Sequence, residues 1–142
     1  MAAKNRLCQV CGNVVAGKSR KALCYPCLHK AQREEATKSP EQFLLYRLRR
    51  ARGRAQTKNL EFDLDHECLI DLYQNQKGYC AISELPMTYT YENPDLCISI
   101  DRMDNEVGYI KTNIRLVCYR VNIMRNELSL EMFNWWVKQI VK

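Results

Sequence analysis

The chain has 142 residues, 46% hydrophobic and 27% charged, with 22 Lys and Arg against 16 Asp and Glu, a formal charge of +6. This balance describes one folded domain, or a domain with a small appendage, and excludes a fibrous or wholly disordered protein. No run of about 18–20 apolar residues exists for a membrane span, and the opening MAAKNRLCQVCG has no apolar stretch of signal-peptide length, so the expected compartment is the cytoplasm.

The charge is divided along the chain. Residues 1–59 hold 14 basic and 3 acidic side chains, a net +11, and residues 60–142 hold 8 and 13, a net −5. A basic half beside an acidic half points to a polyanion-binding part joined to something else. Eight cysteines in a reducing compartment point to metal before disulfides.

Four of them form two C-x-x-C pairs, Cys8 with Cys11 and Cys24 with Cys27. Each pair lets two thiolates meet one ion on a tight turn, and two such turns complete a tetrahedral Zn²⁺ site. Gly12 follows the first pair, where such a turn needs positive φ. Large apolar side chains are scarce over residues 1–30, so the metal would supply the folding energy, on the order of 10 kcal/mol. A site closed by four thiolates is structural. Lys18, Arg20, Lys21 and Lys30 surround it and suit contact with nucleic acid.

Residues 31–59 read as a basic helical connector. Ser39, Pro40 and Gln42 give the signature of a capped helix start. Phe43, Leu44, Tyr46 and Leu48 supply a partial apolar stripe. Arg47, Arg49, Arg50, Arg52 and Arg54 follow, more cationic charge than a helix dipole requires, and predict a surface that tracks phosphates. Such contacts position a protein without reading bases.

From Leu60 to Gln76 the apolar spacing predicts a helix, with Asp63 or Asp65 in its first turn and His66 as a surface or cap residue. A short extended segment follows Gly78. Cys97 to Asp101 alternates as a strand and ends on an acidic residue. Residues 102–109 read as a loop and 110–113 lead to a second short strand or turn. Leu116 to Asn126 reads as helical, and Ser129 opens a last helix that Phe133, Trp136, Val137 and Ile140 can pack down, with one of Trp135 and Trp136 facing outward. The expected order of strand, loop, strand and helix is a ββα unit. The expected fold is α+β, with a four-Cys module over 1–30, the connector over 31–59 and a domain over 60–142.

The run SIDRMDNEVGYIKTNIRLVCYRVNIMRNELS resembles the HNH endonuclease family, with its ββα-metal fold, and looks most like the small HNH proteins of bacteriophages. The resemblance covers roughly residues 60–135. It implies hydrolysis of phosphodiesters, in DNA more than in RNA, with Mg²⁺ or Mn²⁺, in the host cytoplasm if the chain is phage-encoded. Asp101 matches the acidic metal ligand, Asn113 the middle Asn that braces the loop, and Asn122 the last metal-binding His. Cys118 matches the first Cys of the helix, Val121 stands for the second, and Arg125 matches the trailing Lys. The second zinc site of many HNH domains would fall on Cys80, Ser83, Cys118 and Val121, so two ligands are missing. Cys68, Cys80, Cys97 and Cys118 therefore read as small buried hydrophobes.

Arg102 falls where the family has its general-base His, and a guanidinium cannot accept a proton at neutral pH. It can instead clamp the phosphate. Asp104 is a candidate to take a proton from water, although a carboxylate in such a loop is also an ordinary turn residue. Tyr109 and Lys111 are secondary candidates, and neither His29 nor His66 lies near the motif in sequence. Three readings follow: a metal-dependent endonuclease; a nucleic-acid-binding protein on an HNH-like scaffold without useful turnover; and a protein-binding module, supported only by Trp135.

Overall fold

The computed structural model of the protein describes residues 6–15 and 22–141. Lys18, Arg20 and Lys21 therefore lie outside the described residues. The elements in chain order are α1 (Tyr25–Ala36), α2 (Pro40–Lys58), α3 (His66–Asn75), β1 (Ile98–Arg102), β2 (Ile114–Cys118), α4 (Tyr119–Arg125) and α5 (Leu130–Ile140), with a 3-10 turn at Pro94–Leu96 before β1. This is an α+β arrangement in which a ββα unit is flanked by helices. No helix among the described residues is long and apolar enough to cross a membrane.

Helix α2 begins as its sequence directs. The Ser39 hydroxyl accepts the Gln42 N–H at 3.2 Å, and Pro40 opens the first turn. The helix runs through Gly53 and ends at Asn59 in the left-handed region, φ 52°. Phe43, Leu44, Leu48, Ala51 and Ala55 are buried along one face. They join Leu64, Leu69, Ile98, Ile100, Leu116 and Val117 in the main core. Burying each large side chain of this set is worth about 1.5–3 kcal/mol. The α2 face thus packs into the same core as the elements that follow residue 60. Residue 59 marks a change of charge, and the packing runs straight across it.

Helix α3 starts six residues later than the apolar spacing predicts. Asp65 is its N-cap, accepting the Cys68 N–H at 2.7 Å. The stretch before it is extended, and Phe62 bridges to Tyr109 instead. Gly108 makes this approach possible, since a Cβ there would sit 2.2 Å from the Glu61 carbonyl oxygen. His66 caps in another sense: its Nε2 lies 2.8 Å from the Glu41 carbonyl, tying α3 to the start of α2.

Strands β1 and β2 pair antiparallel, with Ile98 opposite Cys118, Asp101 opposite Arg115 and Arg102 opposite Ile114. Residues 116–118, predicted as helix, belong to β2, because Leu116, Val117 and Cys118 are drawn into the core as strand. Cys80, Cys97 and Cys118 are buried and Cys68 is half-buried. The Cys80 sulfur accepts the N–H groups of Cys118 at 3.2 Å and Ser83 at 3.4 Å. Helix α5 is capped by Ser129, whose hydroxyl accepts the Met132 N–H at 3.1 Å. Only Phe133 of α5 is buried; Trp135 and Trp136 are both about half exposed, where the sequence predicts one ring turned in.

Candidate active site and metal centre

The N-terminal segment folds around its cysteines. Gly12 takes φ +74°, as the turn after Cys11 requires. A bridge between Leu7 and Val14 closes the hairpin, and Cys8 and Cys24 are buried with Val15 in a small separate cluster. The four sulfurs of Cys8, Cys11, Cys24 and Cys27 lie within 4.8 Å of one another. Cys11 and Cys24 approach to 3.5 Å. Tetrahedral Zn–S bonds of about 2.3 Å place sulfurs about 3.8 Å apart, so the donor set fits that geometry. Backbone N–H groups of Cys24 and Cys11 aimed at the Cys8 sulfur lower its thiol pKa to about 6. Sharing of protons with the Cys24 and Cys11 thiols pushes Cys27 up to about 12. The cluster could hold a metal ion.

The ββα unit places a second group of side chains. Ser99 and Asp101 are two apart on β1 and so share a face, and Asn122 and Arg125 are three apart on α4 and share another. The two faces meet. Asn122 Nδ2 donates to the Ser99 hydroxyl at 2.8 Å, and Arg125 Nη2 donates to Asp101 Oδ1. Arg115, opposite Asp101 in the sheet, donates through Nε to Oδ2 at 2.8 Å. Asp101 is thus a buried carboxylate held between two arginines. Arg125 is itself 1% exposed and also donates to the carbonyls of Arg102 and Leu128.

Asn113 secures the loop between the strands. Its Nδ2 donates to the Asp104 and Gly108 carbonyls at 2.9 and 3.1 Å, and its Oδ1 accepts the Asp104 N–H at 2.9 Å. Arg102 closes the same loop, donating through Nη1 to the carbonyls of Asn105 at 2.9 Å and Val107 at 3.0 Å. The Asp104 carboxylate accepts the Glu106 N–H at 2.9 Å and behaves as a turn residue. Lys111 pairs with Asp65.

A cavity of about 1110 Å³ opens between α2 and the ββα unit. Asp101, Arg102 and Asn122 line it from one side. Arg47, Arg50 and Arg54 line it from α2, with Lys58 one turn further on. Helical spacing sorts the predicted arginines: these three share the cavity face, while Arg49 and Arg52 do not line it. Asp104 does not line it either, whereas Glu106 does. Arg33 and His29 from α1 complete the wall, His29 Nε2 lying 3.5 Å from Arg50 Nη1. The sequence carries no sign of these two, because only the packing of α1 on α2 brings them there.

The tyrosines of the wall are paired with its arginines. The guanidinium of Arg33 lies 4.1 Å from the ring centroid of Tyr91, that of Arg50 5.7 Å from Tyr46 and that of Arg47 5.8 Å from Tyr119. Arg54 and Arg102 lie 5.7 and 5.1 Å from Tyr109, and Arg54 Nε donates to the Tyr109 hydroxyl at 3.1 Å. Burial lowers the Arg47 pKa from its ordinary value, and its Nε has no hydrogen-bond partner among the described residues.

Asp101 and Asn122 offer the oxygen donors that hard divalent ions take. Asn122 commits its amide nitrogen to Ser99, which leaves the carbonyl oxygen as the donor for a cation. Each Asp101 oxygen accepts one arginine bond and keeps a further lone pair. These oxygen atoms on this wall could hold such an ion.

No family model matches the chain. Over 85 residues it is 32% identical to an uncharacterized 29.0 kDa protein of the dda-modA intergenic region of Enterobacteria phage T4. The match takes in 60% of this chain and 33% of that protein, so the chain spans about a third of the length of the curated relative it matches. Among solved structures it is similar to the rare-cutting HNH restriction endonuclease PacI, with a TM-score of 0.47 and 16% identity, over 94% of this chain and 92% of that one.

Proposed function

We propose that the protein is an HNH-type endonuclease that hydrolyses phosphodiester bonds, in DNA more than in RNA. The observation that supports this best is one cavity with two chemically distinct walls, oxygen donors on the ββα unit and arginines on α2. In this reading Cys8, Cys11, Cys24 and Cys27 hold a structural Zn²⁺, and Asp101 and Asn122 hold Mg²⁺ or Mn²⁺. When bound, that ion would neutralise charge developing on the scissile phosphate. Arg125 fixes the Asp101 carboxylate, and Asn113 fixes the loop that ends β1. Arg102 keeps Nη2 and Nε for a phosphate oxygen while Nη1 braces the loop. Glu106 and Glu127 are carboxylates on the cavity wall, besides Asp101, that can accept a proton from water, ahead of Asp104, which does not line it.

The test is nicking of supercoiled plasmid with Mg²⁺ or Mn²⁺. Asn122→Ala is the better probe because Asn122 is only half-buried. Metal-dependent nicking by the wild type and none by Asn122→Ala is the expected result. Equal nicking by both would refute the site. A second reading, binding without turnover, draws on the two arginines that already occupy Asp101. Tight binding of DNA with no nicking under either metal would favour it.

A further inference from the structure

Among the described residues, five of the six arginines lining the cavity lie within 5.8 Å of the centre of a tyrosine ring that lines it too. The sixth, Arg125, is committed to Asp101. Helical spacing does not explain the pattern. Only Tyr46 with Arg50 is an i, i+4 tyrosine pair on one helix; Arg47 also lies 5.0 Å from the ring of Phe43, its own i−4 neighbour, and Tyr119 reaches it from α4. Tyr91 and Tyr109 come from loops on either side of β1, and Tyr119 is the first residue of α4.

A guanidinium over a ring is attracted by the ring quadrupole and is more easily desolvated than an ammonium. Lying on the ring, it has its rotamers restricted while its N–H edges stay available in plane for bidentate contact with a phosphate. A ring face covered by a guanidinium is also closed to a stacking base.

Building on the polyanion-binding reading above, we propose that Tyr46, Tyr91, Tyr109 and Tyr119 are positioning residues that hold these arginines for the phosphates of a nucleic-acid backbone. The cavity then grips the backbone and leaves the bases unread.

The experiment is a fluorescence-anisotropy titration of a labelled duplex of about 20 base pairs, without divalent ions, over a series of salt concentrations. The proteins are the full-length wild type, Tyr46→Leu, Tyr46→Phe, Tyr119→Leu, Tyr119→Phe, Arg50→Ala and the double variant Tyr46→Leu/Arg50→Ala. Tyr119 is 38% exposed, so its replacement leaves the core intact; a thermal melt confirms folding of each protein. The Leu variants should bind roughly 3–10-fold more weakly near 100 mM salt, with a salt slope smaller by about 1. The Phe variants keep the ring and should bind like the wild type. Adding Tyr46→Leu to Arg50→Ala should cost nothing further, because the two act as one unit. Leu variants that bind like the wild type overturn the proposal. So does weaker binding at an unchanged salt slope, which would mean base stacking, and so does a loss that adds to that of Arg50→Ala. A wild type without salt-dependent binding removes the polyanion-binding reading itself, and the proposal with it.

Discussion

Asp101 joins the stability of the fold to the chemistry proposed for the site. Its carboxylate pairs with Arg125, which is wholly buried, and with Arg115, which is nearly so. Removing one partner of a buried ion pair leaves an uncompensated charge and typically costs about 3–5 kcal/mol. Asp101→Ala should therefore lower the unfolding free energy by about that much in urea titrations, while Asn122→Ala, which gives up one hydrogen bond to Ser99, should lose only about 1 kcal/mol. A loss of activity in Asp101→Ala alone would then carry little meaning. The position of Asp101 at the end of a strand is legible in the sequence. Its two arginines are not, since Arg115 meets it across the sheet and Arg125 from the following helix.

At the scale of elements, α2 shows local chemistry and tertiary packing agreeing. Ser39→Ala should destabilise by about 1 kcal/mol by thermal or chemical melt, through loss of the cap on Gln42. The face buried by Phe43, Leu44 and Leu48 also decides which arginines turn to the cavity. Arg50→Ala and Arg54→Ala should each reduce the salt slope of DNA binding by about 1, and Arg49→Ala should leave it nearly unchanged. Helix α3 adds a pH dependence. The Lys111 ammonium and the Cys68 N–H hold the Asp65 carboxyl below its ordinary value of 3.8. A carboxyl depressed on folding stabilises the fold above the unfolded pKa, and that stability fades as pH falls through the folded value. Between pH 5 and pH 2, roughly, the urea midpoint of the wild type should thus fall more than that of Asp65→Asn, which keeps a capping oxygen but cannot titrate.

At the scale of the whole molecule the described residues form two cores of unequal size. The main one runs from Ala36 to Cys118, and the small one holds Cys8, Val15 and Cys24. The small cluster buries little apolar surface, and in the reading proposed above the metal supplies its folding energy. Chelation should therefore expose the amides of Cys8, Gln9, Gly12 and Val15, bonded within this segment, to hydrogen exchange, while β1, β2 and α2 stay protected. Uniform loss of protection would mean that the two cores unfold as one.

The net charge of +6 already divided in the sequence into a basic and an acidic half, and the thiolate pairs, the caps at Ser39 and Ser129 and the ββα order were legible there too. These are local properties: ligand spacing, side chains that reach their own backbone, and alternation over a few residues. Only the tertiary structure decided that α2 belongs to the core of the acidic half, that residues 60–65 extend to meet Tyr109, and that α1 delivers Arg33 and His29 to the cavity. Contacts between residues far apart in the chain depend on which apolar faces pack together, and the spacing within any one segment carries no record of them. The same packing brings each cavity arginine other than Arg125 within 5.8 Å of the centre of a tyrosine ring, with those of α2 across the cavity from Asp101 and Asn122.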